Sequence, residues 1–340
     1  MAEIRARTFG VCMSVKQIRT IDAATYKRHM IHGENRAWAE TNCYSDVIIE
    51  QVHALGFEPN ACLPFTLSVD FEGDQWTFFK FPMADMFELY GMDIHELNPW
   101  RPLAYHIEEQ VSRGRPVFVE LDSFFLPDTA GTAYKLAHVK STISVNKIDI
   151  EGKCLGYFHN QGYYELSGQD FDDIFQINGL VHERMLPPYI EYVKLYPVDS
   201  SEGAVLKKSL GLLRKHFALV PKENPFVQFK KRFAVDLEWL MKENIEVFHA
   251  YSFATLRMYG SCFELVTTYL RWLEGQGQKG LESSIASFDQ ISQTAKSFQF
   301  QLARAMARRK PLQLDALDAM AAHWESGMNV LRPFVARIAT

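Results

Sequence analysis

Three residues could do chemistry together: the thiol of Cys43, the imidazole of His138 and the side-chain amide of Asn160. Cys43 follows Asn42 in WAETNCYSDVIIEQVHALG (38–56), where Val47, Ile48, Val52 and Leu55 recur at helical spacing and Gly56 stands at the C-terminal cap. The asparagine suits an N-cap, so the cysteine opens the helix. A helix N-terminus carries partial positive charge and N–H groups, which favour a thiolate and can hold an oxyanion formed on an attacked carbonyl. The chemistry implied is nucleophilic attack on an acyl carbon. That needs a base, and a third group to orient the base.

His138 stands where a loop becomes the strand VKSTISV, and Asn160 closes the returning strand CLGYFHN (154–160). Strand, turn and strand bring the two ends of a hairpin back together, so His138 is the expected base and Asn160 its orienting partner. His159 points to the opposite face of a regular strand and stands in reserve. Asn42 could also donate to an oxyanion through its amide. Glu120 and Asp122 project to one side of the apolar strand PVFVELDSFFL (116–126), where they either bind a substrate amino group or form structural ion pairs. Asp128 and Thr129, in LPDT, read as turn formers or as part of a substrate pocket, and Asp149 as a solvated turn residue.

Positioning these groups is the task of an α+β region. FTLSVDF (65–71) and QWTFFKF (75–81) read as strands around an EGD turn, MADMFELYGM (83–92) and PLAYHIEEQVSRG (102–114) as helices, and 138–150 and 154–160 as a strand pair. The segment PVDSSEG (197–203) has linker composition, and beyond it the apolar period is 3.6 almost throughout. The organisation predicted is an α+β domain over 1–200 and a helical bundle over 201–340. The aromatic stripe Phe248, Tyr251, Phe253, Tyr259 and Phe263 belongs in the bundle core. Arg304, Arg308, Arg309 and Lys310 close a helix, where cations favour the dipole, or else offer a patch to an acidic partner.

The net charge of −5 over 340 residues argues against general affinity for nucleic acid or anionic membrane. The N-terminus lacks an apolar signal core and no long apolar run occurs, so a cytoplasmic protein is expected. Five cysteines without a CxxC pair give no disulfide framework or zinc cage. Neither HxxxH nor HExxH occurs, and GQGQKG (275–280) lacks the spacing of a phosphate loop, so no metal or bound cofactor is expected.

The order of helix cysteine, strand histidine and asparagine resembles the papain-like cysteine peptidase and acyltransferase fold, although papain's local signature around the nucleophile is absent. Three blocks are more specific: WAETNCYSDVIIEQVHALG, DQWTFFKFPMADMFELYG, and GRPVFVELDSFFLPDTAGTAY followed by His138 and YFHNQGYYEL. They resemble domain-of-unknown-function family 1839, itself similar to the papain-like N-terminal domain of the butirosin biosynthesis acyltransferase. The resemblance implies acyl transfer, with an aminoacyl group leaving a carrier-protein phosphopantetheine thioester through a cysteinyl intermediate. On it Cys43 is the nucleophile, His138 the base and Asn160 the orienting residue, where such acyltransferases tend to carry aspartate. The implied partners are an acyl carrier protein and an amino acid:carrier protein ligase, with a homodimer left open. A hydrolase of the same fold and a non-catalytic scaffold are the alternatives.

Overall fold

The computed structural model describes residues 15–39, 41–177 and 188–338. Mixed helix and antiparallel sheet come first, and a helical region follows. In chain order the elements are β1 (Lys16–Gln17), α1 (Cys43–Ala54), α2 (Met83–Tyr90), β2 (Met92–Glu96), α3 (Leu103–Ser112), β3 (Val117–Asp122), β4 (Lys140–Asp149), β5 (Cys154–His159), β6 (Gly162–Ser167), α4 (Gln169–Ile174) and β7 (Ile190–Leu195). The helical region holds α5 (Glu202–Phe217), α6 (Pro225–Leu240), α7 (Ile245–Ser252), α8 (Met258–Gly275), α9 (Glu282–Arg308) and α10 (Asp315–Ile338).

The chain folds as two compact units. The first joins residues up to 26 with 94–194, and the second joins 27–93 with 195–340. The long segment that begins just before α1 thus packs with the C-terminal helices. Trp38 shows how: its ring abuts Gly260, its indole N–H donates to Ser292 Oγ at 3.0 Å, and the Glu264 carboxylate accepts the N–H groups of Ala37 and Trp38.

The first unit is built on a sheet of order β2-β7-β3-β4-β5-β6, with β1 paired to the far end of β4. Its pairings fix the geometry of the site: Asp122 lies opposite Lys140, Ile143 opposite His159, and His159 opposite Gly162. One face is apolar because Val117, Val119, Leu121, Ile143, Val145 and Tyr157 alternate onto it. Ile107 and Val111 of α3 and Phe171 and Ile174 of α4 cover that face.

Two expectations fail. Residues Pro59–Ser68 form a buried 3-10 run in place of a strand, and only a single bridge, Phe71 to Trp76, remains of the hairpin. Pro59 and Pro64 cannot donate to a ladder, and Phe65, Thr66 and Leu67 are buried in succession without alternation. The hydroxyls of Thr66 and Ser68 close local turns on Leu63 O and Phe65 O. Phe71 and Trp76 pack on Phe229, and Trp76 also reaches Tyr259, so their bulk belongs to the helical core. The aromatic stripe is also incomplete, since Phe253 lies exposed in a π-helical turn between α7 and α8. Arg309 takes a left-handed conformation after α9 and its guanidinium donates to Met241 O and Glu243 O, an intramolecular role for that cation.

Candidate active site

Cys43 occupies the first position of α1 and is half-buried. Asn42 is the N-cap: its Oδ1 accepts the Ser45 N–H at 2.9 Å and its carbonyl accepts the Asp46 N–H. Asn42 Nδ2 donates to Phe79 O at 3.2 Å, so the amide expected as an oxyanion donor anchors the helix entrance to the 75–81 segment. Burial weakens the other described cysteines as nucleophiles. Burial pushes the Cys62 thiol up to about 12 and raises Cys262, whose S–H donates to Thr66 O. Burial also raises Cys154. Cys12 lies outside the described residues.

Behind Cys43, α1 carries a charged cluster that sequence reasoning missed. His32 Nδ1 lies 2.5 Å from Glu50 Oε1 and His32 Nε2 lies 3.1 Å from Asp46 Oδ1, all three residues being sealed from solvent. The Thr41 N–H and hydroxyl both donate to Asp46, and the His29 N–H donates to Glu50. Burial alone would lower the His32 pKa, but hydrogen bonds to Asp46 and Glu50 outweigh it and hold it above the ordinary value. Burial likewise works to raise Asp46, and the same imidazole brings it below its ordinary value. The cluster ties the chain before Cys43 onto the helix that Cys43 begins.

His138, Asn160, His159, Glu120, Asp122, Asp128 and Thr129 lie in the first unit, and Cys43 and Asn42 in the second. His138 Nδ1 is 2.6 Å from Asp122 Oδ2, and its ring stacks on Phe124 at 4.3 Å between centroids. Its side chain is 69% exposed, and among the described residues Nε2 has no hydrogen-bond partner. The register explains the pairing. Asp122 ends β3 opposite Lys140, two residues after His138, so carboxylate and imidazole meet across the strand ends. Asp122 Oδ1 also accepts the Phe124 N–H at 3.0 Å, which fixes the carboxylate's direction.

Asn160 sits in the two-residue turn between β5 and β6, where the His159–Gly162 pair closes the hairpin. It takes φ +46°, a left-handed value that asparagine tolerates well. The partner that holds His138 is therefore Asp122. Glu120 forms an ion pair with Lys140 at 2.7 Å, so both strand carboxylates have intramolecular partners. Asp128 accepts from Tyr157 OH at 2.6 Å and lies 2.5 Å from His159 Nδ1, while His159 Nε2 lies 2.6 Å from Ser141 Oγ. Thr129 donates its hydroxyl to Ser123 O and Leu126 O, closing the loop. Asp149 is buried and accepts the Gly152 N–H, so it holds its turn from within.

His138 and Asp122 line a cavity of about 840 Å³ in the first unit, walled by apolar groups such as Leu103, Leu121, Phe125 and Phe175. That size suits a small-molecule site. An imidazole held at one nitrogen and open at the other, on the wall of such a cavity, can take a proton from a bound nucleophile and return it. No group of three metal-ligating side chains occurs among the described residues, and none of their helices is long and apolar enough to cross a membrane.

No curated protein matches this chain. Two family models do, the DUF1839 N-terminal domain over residues 27–195 and the DUF1839 C-terminal domain over residues 202–333. The two matches part at the predicted linker and together take in most of the chain, which therefore belongs to the DUF1839 family.

Proposed function

We propose that the protein is a cysteine-dependent acyltransferase with a papain-like arrangement, related in chemistry to the butirosin biosynthesis acyltransferase. Its donor is an acyl group, aminoacyl in the first instance, on the phosphopantetheine thioester of a carrier protein. Its acceptor is an amine or hydroxyl. The observation that carries this reading is the open imidazole of His138, oriented by Asp122 on the wall of a small-molecule cavity. Cys43, at the start of a capped helix, supplies the nucleophile that such a base serves.

In this scheme Cys43 loses its proton and its sulfur adds to the thioester carbonyl. The carbon–sulfur bond to the arm breaks, and the departing thiolate takes up a proton. An acceptor amine then adds to the acyl-cysteine and loses a proton, and the Cys43 sulfur leaves and is reprotonated. The role of base is proposed for His138. Asp122 holds the imidazole at Nδ1 and keeps it in one tautomer. The carrier protein and an amino acid:carrier protein ligase are the partners, with the protein placed in the cytoplasm.

A second reading rests on its own observation: Ser141, His159 and Asp128 are spaced as a Ser-His-Asp hydrolase triad. Against it, Ser141 is only 7% exposed and does not line the cavity. Supplying an aminoacyl-carrier thioester with and without an amine separates these schemes. Transfer gives an amide that requires both the amine and Cys43, and survives Ser141→Ala. Acid released at the same rate without amine, or activity lost with Ser141→Ala and kept with Cys43→Ala, would overturn the first reading.

A further inference from the structure

The loop 98–102, just before α3, brings a cation to the cavity of the first unit on a stiff backbone. Pro99 and Pro102 line the cavity with Arg101 between them, and each proline ring fixes its own φ. His106, in the first turn of α3, accepts the N–H groups of Trp100 and Arg101 at its Nε2, at 3.1 and 3.3 Å. Burial and the Arg101 charge both lower the His106 pKa, which keeps that nitrogen an acceptor. The backbone that carries Arg101 is thereby set in place before any ligand arrives.

The guanidinium on that loop is under-used. Among the described residues its one hydrogen bond runs from Nη2 to Tyr105 O at 3.1 Å, and Nε is buried and donates to nothing. The rings of Trp100 and Tyr105 lie 5.4 and 5.9 Å from it, contacts that consume none of its N–H groups. The other charged groups on the wall are committed: Glu120 to Lys140, Asp122 to His138 and Asp172 to Lys153. Each carboxylate there has its partner, and Arg101 has no acid among the described residues. A buried donor without an acceptor is costly, and a carboxylate presents two oxygens to the guanidinium's fork. A phosphate monoester would bring a second charge for which the wall keeps no uncommitted cation. Around these groups Leu103, Leu121, Phe125 and Phe175 give an apolar surface.

We infer that the cavity binds a carboxylic acid with an apolar body, its carboxylate on Arg101 and its body against Leu103, Leu121 and Phe175. The inference concerns binding and goes beyond acyl transfer, since it holds whether or not Cys43 carries an acyl group. Asp172 Oδ1, buried and without a hydrogen-bond partner among the described residues, lets the wall take one hydroxyl or N–H on that body as well.

Calorimetric titration of the full chain with octanoate, its neutral isostere octanamide, and acetate tests this without any turnover. Octanoate is expected to bind one to one. Octanamide, which lacks the charge, and acetate, which lacks the body, should each bind at least about tenfold more weakly. Arg101→Gln should bind octanoate no better than octanamide, and its retained octanamide binding would show that the cavity is intact. Leu103→Trp, at a half-buried wall position, should weaken both ligands several-fold. No octanoate binding, or equal binding of octanoate and octanamide by the native protein, would overturn the inference without recourse to any variant. So would a preference for octanoate that survives Arg101→Gln, octanoate binding unchanged in Leu103→Trp, or octyl phosphate binding more tightly than octanoate.

Discussion

His138 and His159 belong to the same hairpin, and each lies within 2.6 Å of an aspartate oxygen, yet their surroundings assign them different work. His138 is open to solvent and cavity, with one nitrogen uncommitted. The His159 side chain is 2% exposed and bonded at both nitrogens, to Asp128 and Ser141, with Tyr157 on the far oxygen of the same carboxylate. The aspartate orients the ring in both cases. What separates a base from a staple is whether the second nitrogen can reach a substrate.

That contrast can be broken by substitution. His138→Ala should lower acyl transfer about 10²- to 10⁴-fold, the usual contribution of general acid–base catalysis, while urea unfolding stays within about 0.5 kcal/mol of native. His159→Ala should act the other way on the fold. It strands the buried Asp128 carboxylate and should cost about 3–5 kcal/mol, lowering Tm by roughly 10 °C. If His159→Ala abolished transfer with an unchanged Tm, the two roles would have to be exchanged.

The sealed cluster of the second unit sharpens the comparison through pH. Stabilisation from His32 is complete below its ordinary pKa of 6.5 and is lost as pH rises through its raised folded value. Stabilisation from Asp46 is present above its ordinary 3.8 and is lost as pH falls through its depressed folded value. Urea midpoints should therefore decline on both sides of the interval from 3.8 to 6.5. His32→Gln should flatten the alkaline limb, and an unchanged alkaline limb would remove His32 from this role. The smallest effect belongs to Asn160→Gly. Glycine accepts the same left-handed φ, so transfer should change less than about twofold and stability by a few tenths of a kcal/mol. A tenfold loss of transfer would return the orienting role to Asn160.

The legible parts of this chain were those with local causes. The α1 boundaries followed from Asn42, the helical apolar spacing and Gly56, and the β3, β4 and β5 strands from period and turn residues. Asp122 was read as a candidate for substrate, because its pairing with His138 depends on the β3–β4 register, which sequence spacing alone does not set. His32 escaped altogether. Its signal was Asp46 and Glu50, two acids four residues apart within a helix of otherwise buried residues, a pattern that demands a buried cation. The 65–71 segment misled because its apolar–polar alternation matches a strand, while the prolines before it and the Thr66 and Ser68 hydroxyls hold local turns.

The most direct test is the intact mass of the protein after incubation with an aminoacylated carrier protein. The account predicts a single acyl adduct that maps to Cys43, accumulates when no acceptor is present and is absent from Cys43→Ala. An adduct that persists in Cys43→Ala, or none from any thioester donor, would contradict it.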